Sequence, residues 1–220
     1  MDIRSTRQRG FTLVEVAIVL VIIGLLLGAI LKGQELIENS RVKSSVNEIN
    51  SIKAAAYGYL DRYKGMPGDD GPIATLQGRG NAWTGVTVAG NSNGQVAGPT
   101  NPFAAPTGEH LGFWQHLRAA GFLTGSPTST GAPALPRNSF TGVTGVASLT
   151  TQMADFNTNV ICMSQVPGKA ATALDNQVDD GQPGTGSLRA TLQAGAGNTA
   201  PGVVATAYSE DQRYTICTPL

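Results

Sequence analysis

Between Phe11 and Leu31 the chain is apolar at every position except Thr12 and Glu15, and from Val16 to Leu31 it has no polar side chain. About 20 apolar residues cross a bilayer as a helix, so this run is long enough to span one. The pattern then turns from continuous to periodic. Val42, Val46, Ile49, Ile52, Ala56, Tyr59 and Tyr63 recur in steps of three and four, the helix period, while Lys43, Glu48, Lys53, Asp61 and Arg62 fall mostly off that stripe. Every proline lies at Pro67 or beyond. A proline inside a helix costs ~3 kcal/mol or more, so residues 11–64 are free to form one helix. At ~1.5 Å per residue it would run about 80 Å.

After residue 64 the pattern breaks. In "KGMPGDDG", Pro67-Gly68 reads as a turn and Gly65 as the helix C-cap. A turn-rich stretch follows, with one short β-prone run at Val86–Val88. "TGEHLGFWQHLRAAG" predicts a compact helix capped by Thr107, with Leu111, Trp114 and Leu117 on one face and Gly121 closing it. Further strands are predicted at Val143–Leu149, Asn159–Met163, Leu188–Leu192, Val203–Tyr208 and Tyr214–Cys217. The expected fold is α+β. A long N-terminal helix, half transmembrane and half amphipathic, packs on a small, loop-rich head with an antiparallel sheet. No repeat of solenoid period occurs.

Composition narrows the function classes. Fifteen basic and fifteen acidic residues balance, and only 14% of the chain is charged, so nucleic acid is not an expected partner. The two cysteines, Cys162 and Cys217, both lie in the C-terminal third. In an exported domain two such thiols pair, and neither histidine joins them in a metal motif. Arg4, Arg7 and Arg9 precede the apolar run, and Lys32, Glu35 and Glu38 follow it. The positive-inside rule places the N-terminus in the cytoplasm and the head in the periplasm. A secretory signal has a shorter core followed by a small-residue cleavage site. Here the core is longer and leads directly into the amphipathic helix, leaving a plain anchor or a leader cut on the cytoplasmic side.

The stretch "RGFTLVE", Arg9 to Glu15, resembles the cleavage and methylation motif of type IV prepilins and type II secretion pseudopilins. The resemblance implies a cut between Gly10 and Phe11 by a prepilin peptidase and methylation of the new amine on Phe11. It also implies that Glu15 neutralises the amino terminus of a neighbouring subunit. An opposite charge offsets much of the cost of a carboxylate in hydrocarbon, and a free α-amine supplies one near neutral pH. Gly24 and Gly28 form a G-x-x-x-G step that lets helices approach closely. Many type IV pilins bend their helix at a proline soon after this point; Ala29–Gly33 has none. "PGD" (Pro67–Asp69), "FWQHLRAAG" (Phe113–Gly121) and "DDGQPGTG" (Asp179–Gly186) are similar to a pilin-like subgroup.

Candidate chemistry in the head is sparse. His110 and His116, six apart on one helix, point about 120° from each other and are read as packing or surface residues. No metalloprotease, phosphate-loop or nucleophile-elbow motif occurs, so an enzyme with a small-molecule substrate is not expected. Asp179 and Asp180 fall at the end of a predicted helix containing Asp175, where acids oppose the helix dipole. Solvation, Arg189 or Arg213 could compensate them. Alternatively Asp175, Asp179 and Asp180 bind Ca2+, the one candidate cofactor. The chain is thus expected to divide into a leader (1–10), a membrane helix (11–31), its amphipathic continuation (32–65) and a head (66–220). The expected role is a non-enzymatic minor pilin or pseudopilin, anchored in the bacterial inner membrane or carried into an extracellular filament. Its expected partners are the peptidase and other pilin or pseudopilin subunits. The rival is a monomeric, membrane-anchored periplasmic binding domain.

Overall fold

The computed structural model describes residues 12–148 and 156–220. The chain divides into two compact units, Met1–Ser40 and Arg41–Leu220. Helix α1, Leu13–Tyr63, supplies the described part of the first unit and opens the second. In the first unit its apolar side chains are exposed on every side, from Leu13 to Leu31. An 18-residue window has a mean hydropathy of 3.0 and no buried residue, so this helix is long and apolar enough to cross a membrane.

In the second unit α1 becomes one-sided, because only its periodic stripe meets other elements. Val42, Ile49, Ile52, Ala56 and Tyr59 are buried, joined by Ser45 and Ala55 from the same face. Ile52, Ala55, Ala56 and Tyr59 pack in a cluster with Trp114, Leu117, Val160, Ile161 and the two cysteines. Val42 and Ile49 pack with Met163, Val166, Leu174 and Ile216. Full burial of one such aliphatic side chain contributes ~1.5–3 kcal/mol.

A short α2 (Ile73–Gln77), then α3 (Gly108–Ala119), lead to a four-stranded sheet. Its strands are β1 (Thr144–Ser148), β2 (Asn159–Pro167), β3 (Arg189–Leu192) and β4 (Arg213–Pro219), with α4 (Gly168–Val178) between β2 and β3. The order is β1-β2-β4-β3, antiparallel throughout. This α+β arrangement, a long apolar-headed helix followed by a small antiparallel sheet, is pilin-like. Cys162 stands directly opposite Cys217 in the β2–β4 register, 4.1 Å apart at Cα, and the two sulfurs are bonded.

Several local expectations fail for identifiable reasons. Helix α1 ends with Lys64, not Gly65, in the left-handed conformation (φ 59°), its N–H bonded to Leu60 O. The Pro67-Gly68 turn forms, with Gly68 at φ 91° and Asp69 N–H on Met66 O. Thr107 precedes α3 without a side-chain cap bond, and α3 is buried continuously from Glu109 to Leu117 rather than along one face. Val86–Val88 makes no strand, because Gln115 Oε1 accepts the N–H groups of Thr87 and Val88 that a ladder would use. Val203–Tyr208 yields only a single bridge, Val204 to Thr191.

The bridge closes a segment with a sequence separation of 55 and sits between the central strands. Replacing both cysteines by alanine should therefore cost ~2–5 kcal/mol in urea unfolding of the oxidised protein, while non-reducing peptide mapping of the wild type recovers the linked pair.

Candidate functional site

The N-terminus of α1 concentrates polar chemistry in a helix that otherwise has none nearby. Glu15 Oε2 accepts both the N–H (2.8 Å) and the hydroxyl (2.9 Å) of Thr12, and Thr12 Oγ1 accepts the Glu15 N–H at 3.2 Å. Val16 N–H bonds Thr12 O, so Thr12 stands just outside the first turn. Thr-x-x-Glu with reciprocal bonds is a capping box, which satisfies helix-end donors that lipid would leave unpaired. A carboxylate in the first turn also complements the positive end of the helix dipole. Among the described residues Glu15 Oε1 has no hydrogen-bond partner. Gly10 and Phe11, the predicted cleavage and methylation positions, lie outside the described residues. Gly24 and Gly28 are exposed, and a methyl group added at either would meet nothing within 4 Å. Among the described residues nothing requires them to be glycine.

Asp175, Asp179 and Asp180 do come together, with one carboxylate oxygen from each within 4.8 Å of the others. Asp175 is buried, accepting the Tyr208 hydroxyl at 2.6 Å and the Gly181 N–H at 3.2 Å. Burial pushes its acid above the usual carboxylate range, against the Tyr208 and Gly181 bonds. Asp179 accepts the N–H groups of Ser187 and Leu188. Asp180 accepts from Gln182 N–H at 2.9 Å and Thr185 Oγ1 at 2.5 Å, which holds its acid low. The three carboxylates thus fold residues 179–188 around the end of α4 by backbone donors. Of the expected arginine partners, Arg213 turns to Gln165 O and Oε1, and Arg189 lies 4.3 Å over the Phe156 ring.

A further polar group links "PGD" to "FWQH", a juxtaposition the sequence motifs did not disclose. Asp70 Oδ2 accepts from Tyr59 Oη and pairs with Arg79 Nη1, both at 2.8 Å. Arg79 also donates to Tyr59 Oη and lies over the rings of Tyr63 and Trp83. His116 is fully buried, accepting the Gly68 N–H at Nδ1 and facing Val88 O through Nε2, both at 2.9 Å. Accepting at Nδ1 requires a neutral ring that carries its proton on Nε2. Asp69 and Glu109, also buried, hold the N–H groups of Asn91, Asn93, Gly94 and Ala97.

A family model described as the prokaryotic N-terminal methylation motif matches residues 5–31. The chain therefore carries the type IV prepilin-type cleavage and methylation signature, on the segment that holds the Thr12–Glu15 box. No curated protein matches the chain.

Burial lowers the affinity of His116 for a proton and pushes His110 down to about 4 from an ordinary 6.5. Unfolded histidines take up protons near 6.5 and the folded rings only lower, so this contribution is full above pH 6.5 and lost as pH falls toward about 4. Asp175 and Glu48, whose acids burial raises, act in the opposite sense over the acid range. Their contribution cancels in a comparison with His116→Gln. The variant's urea midpoint should fall less steeply than that of the wild type between pH 6.5 and 5.

Proposed function

We propose that this chain is a non-enzymatic structural subunit, a minor pilin or pseudopilin, of a type IV pilus or a type II secretion pseudopilus. The observation that supports it is the methylation signature at residues 5–31, coincident with a lone carboxylate at the start of an exposed apolar helix. In this reading prepilin peptidase cuts between Gly10 and Phe11 and the amine of Phe11 is methylated. Removal of Arg4, Arg7 and Arg9 leaves a helix end whose charges are its amine and Glu15. Glu15 caps its own helix through Oε2 and offers Oε1 to the amine of a neighbouring subunit. Gly24 and Gly28 allow neighbouring helices close approach. The subunit is held in the bacterial inner membrane with its head in the periplasm until it enters a filament.

One observation favours the rival, a monomeric anchored binding domain. The capping box gives Glu15 a role within a single chain, so the carboxylate alone does not require a partner. Charge separates the two readings. Glutamine in a capping box keeps the bonds to Thr12 and loses the charge.

Mass spectrometry of the mature protein should find methylated Phe11 as the first residue. An intact Met1 would refute processing. Glu15→Gln and Glu15→Ala should both yield processed, membrane-resident subunit and both fail to enter filaments, as scored by shearing and immunoblotting. Normal entry of Glu15→Gln alone would assign Glu15 to capping rather than docking, and absence of the wild-type chain from sheared filaments would support the monomeric rival.

A further inference from the structure

A cleft of about 720 Å³, lined by both polar and apolar side chains, opens between α1 and the segment 123–139 of the head. Asn47, Glu48 and Ser51 of α1 form one wall, and Arg118, Pro136 and Arg137 lie across from them. Its charged side chains are Glu48, Arg118 and Arg137. Glu48 is already engaged, with Oε1 on the Thr144 hydroxyl at 2.5 Å, and burial raises its acid. Arg118 is the anomaly. Its Nη2 donates to Ala134 O at 2.7 Å, while Nε and Nη1 are buried without any acceptor. A guanidinium keeps its charge in proteins, so two of its donor sites are both desolvated and unpaired. Arg118 as a whole is half-buried, and a cation with two desolvated, unpaired donors weakens the fold that contains it. Arg137 is exposed at the cleft, and among the described residues its side chain makes one hydrogen bond, at 3.4 Å to Thr141 O.

We infer that this cleft is a carboxylate-binding site whose occupant is the acidic turn Ser209–Gln212 of a second copy of the chain. The turn has the complementary charge. Glu210 and Asp211 are exposed at its tip, and neither forms an ion pair among the described residues. Neighbouring Arg213 is committed to Gln165. The turn is also held in shape before any contact: Gln212 N–H bonds Ser209 O, Ser209 N–H bonds Tyr214 Oη, and Gly168 N–H bonds Gln212 O. Little ordering entropy is then lost on docking. Arg118 lines the cleft, so a carboxylate entering there supplies the acceptors that Nε and Nη1 lack once the side chain turns outward. Release of two unsatisfied donors offsets the loss of its Ala134 bond. Acidic turn and cleft are different surfaces, so the contact is head-to-tail, the kind that propagates into a filament where its rotation does not close a ring. The inference rests on the proposed subunit role for its biological setting.

The test uses the full chain in detergent. Glutarate, at ionic strength matched with sodium chloride, should raise Tm in a dose-dependent way. Arg118→Met should abolish that shift and, without additive, have a Tm equal to or above wild type, since it removes two buried donors without partners. Should Arg118→Met fail to fold, the exposed Arg137→Gln serves instead and should weaken the glutarate response. Self-association of heads, read by cross-linking between two differently tagged copies, should weaken about tenfold when Glu210 and Asp211 are both changed to lysine. Pairing that variant with Arg137→Glu in the other copy should recover it. A glutarate shift that is absent, or that survives in Arg118→Met, would overturn the site. A specific shift with association unchanged by the acidic-turn variant would overturn the second copy as occupant and leave a free carboxylate in its place. The glutarate measurement needs no filament, so failure of the subunit role would show in the Glu15 variants and not there.

Discussion

The carboxylate of Asp70 is held in the interior by two donors, the hydroxyl of Tyr59 on α1 and the guanidinium of Arg79 beyond α2. Asp70 and Arg79 side chains retain only 10% and 18% of their exposure, so each charge depends on the other. Removing one partner of such a pair costs ~3–5 kcal/mol, because it strands a buried charge. The neighbouring geometry follows from that contact. Arg79, held by Asp70 and by the Tyr59 hydroxyl, lies over Tyr63 and Trp83, and Tyr59 and Trp83 in turn flank His116. His116 takes the N–H of Gly68, whose α-carbon runs so close to α3 that a methyl group there would sit 2.5 Å from Glu109 O. The turn that ends α1 is thereby fixed against α3 by charge, ring stacking and close backbone approach together.

What could be read in the sequence was what a period or a prohibition governs. The α1 stripe was legible because burial on one side of a helix repeats every 3.6 residues, and the absence of proline before Pro67 left nothing to interrupt it. Strands β1, β2, β3 and β4 were legible for a similar reason, as β-branched runs between turn residues. Val86–Val88 has the same local appearance and is no strand, because the side chain of a residue 27 or 28 positions away takes its donors. Propensity cannot register such a distant competitor. The left-handed residue after α1 is Lys64, although Gly65 is adjacent and intrinsically better suited. Gly65 instead packs against Asp70, where a methyl group would lie 3.0 Å from the carboxyl carbon. The tertiary contact has overridden the local preference.

The acidic run at the end of α4 shows how a correct placement can leave the chemistry open. Two acids at a helix C-terminus should be unfavourable by several tenths of a kcal/mol each, a penalty that calls for compensation. Compensation by a cation, an arginine or the backbone looks identical in sequence. The structure shows backbone donors in this role: N–H groups of Gly181, Gln182, Ser187 and Leu188 point at the three carboxylates. The glycines of "DDGQPGTG" make this practicable, since Gly181 and Gly186 adopt φ of 78° and 69°. A side chain at Gly186 would collide with Asp179. The motif therefore encodes a loop shape before it encodes any ligand.

The same double meaning attaches to Glu15. A carboxylate near the end of an apolar helix suggests a charged partner, and Thr-x-x-Glu is equally a plain statement of a capping box, legible at Thr12 and Glu15 without any structure. The two uses draw on different atoms. Oε2 carries both bonds to Thr12, and Oε1 points to no described group. Capping also restrains the side chain, so a second charge meets a carboxylate already fixed in position and loses less entropy on binding. Within a bilayer an N-terminal helix end without a cap would expose unpaired donors, so the cap is useful to an isolated subunit. The remaining oxygen becomes useful only when a cation is brought beside it. In the proposed subunit one residue can thus cap the single helix and favour assembly, without the two roles competing for the same lone pairs.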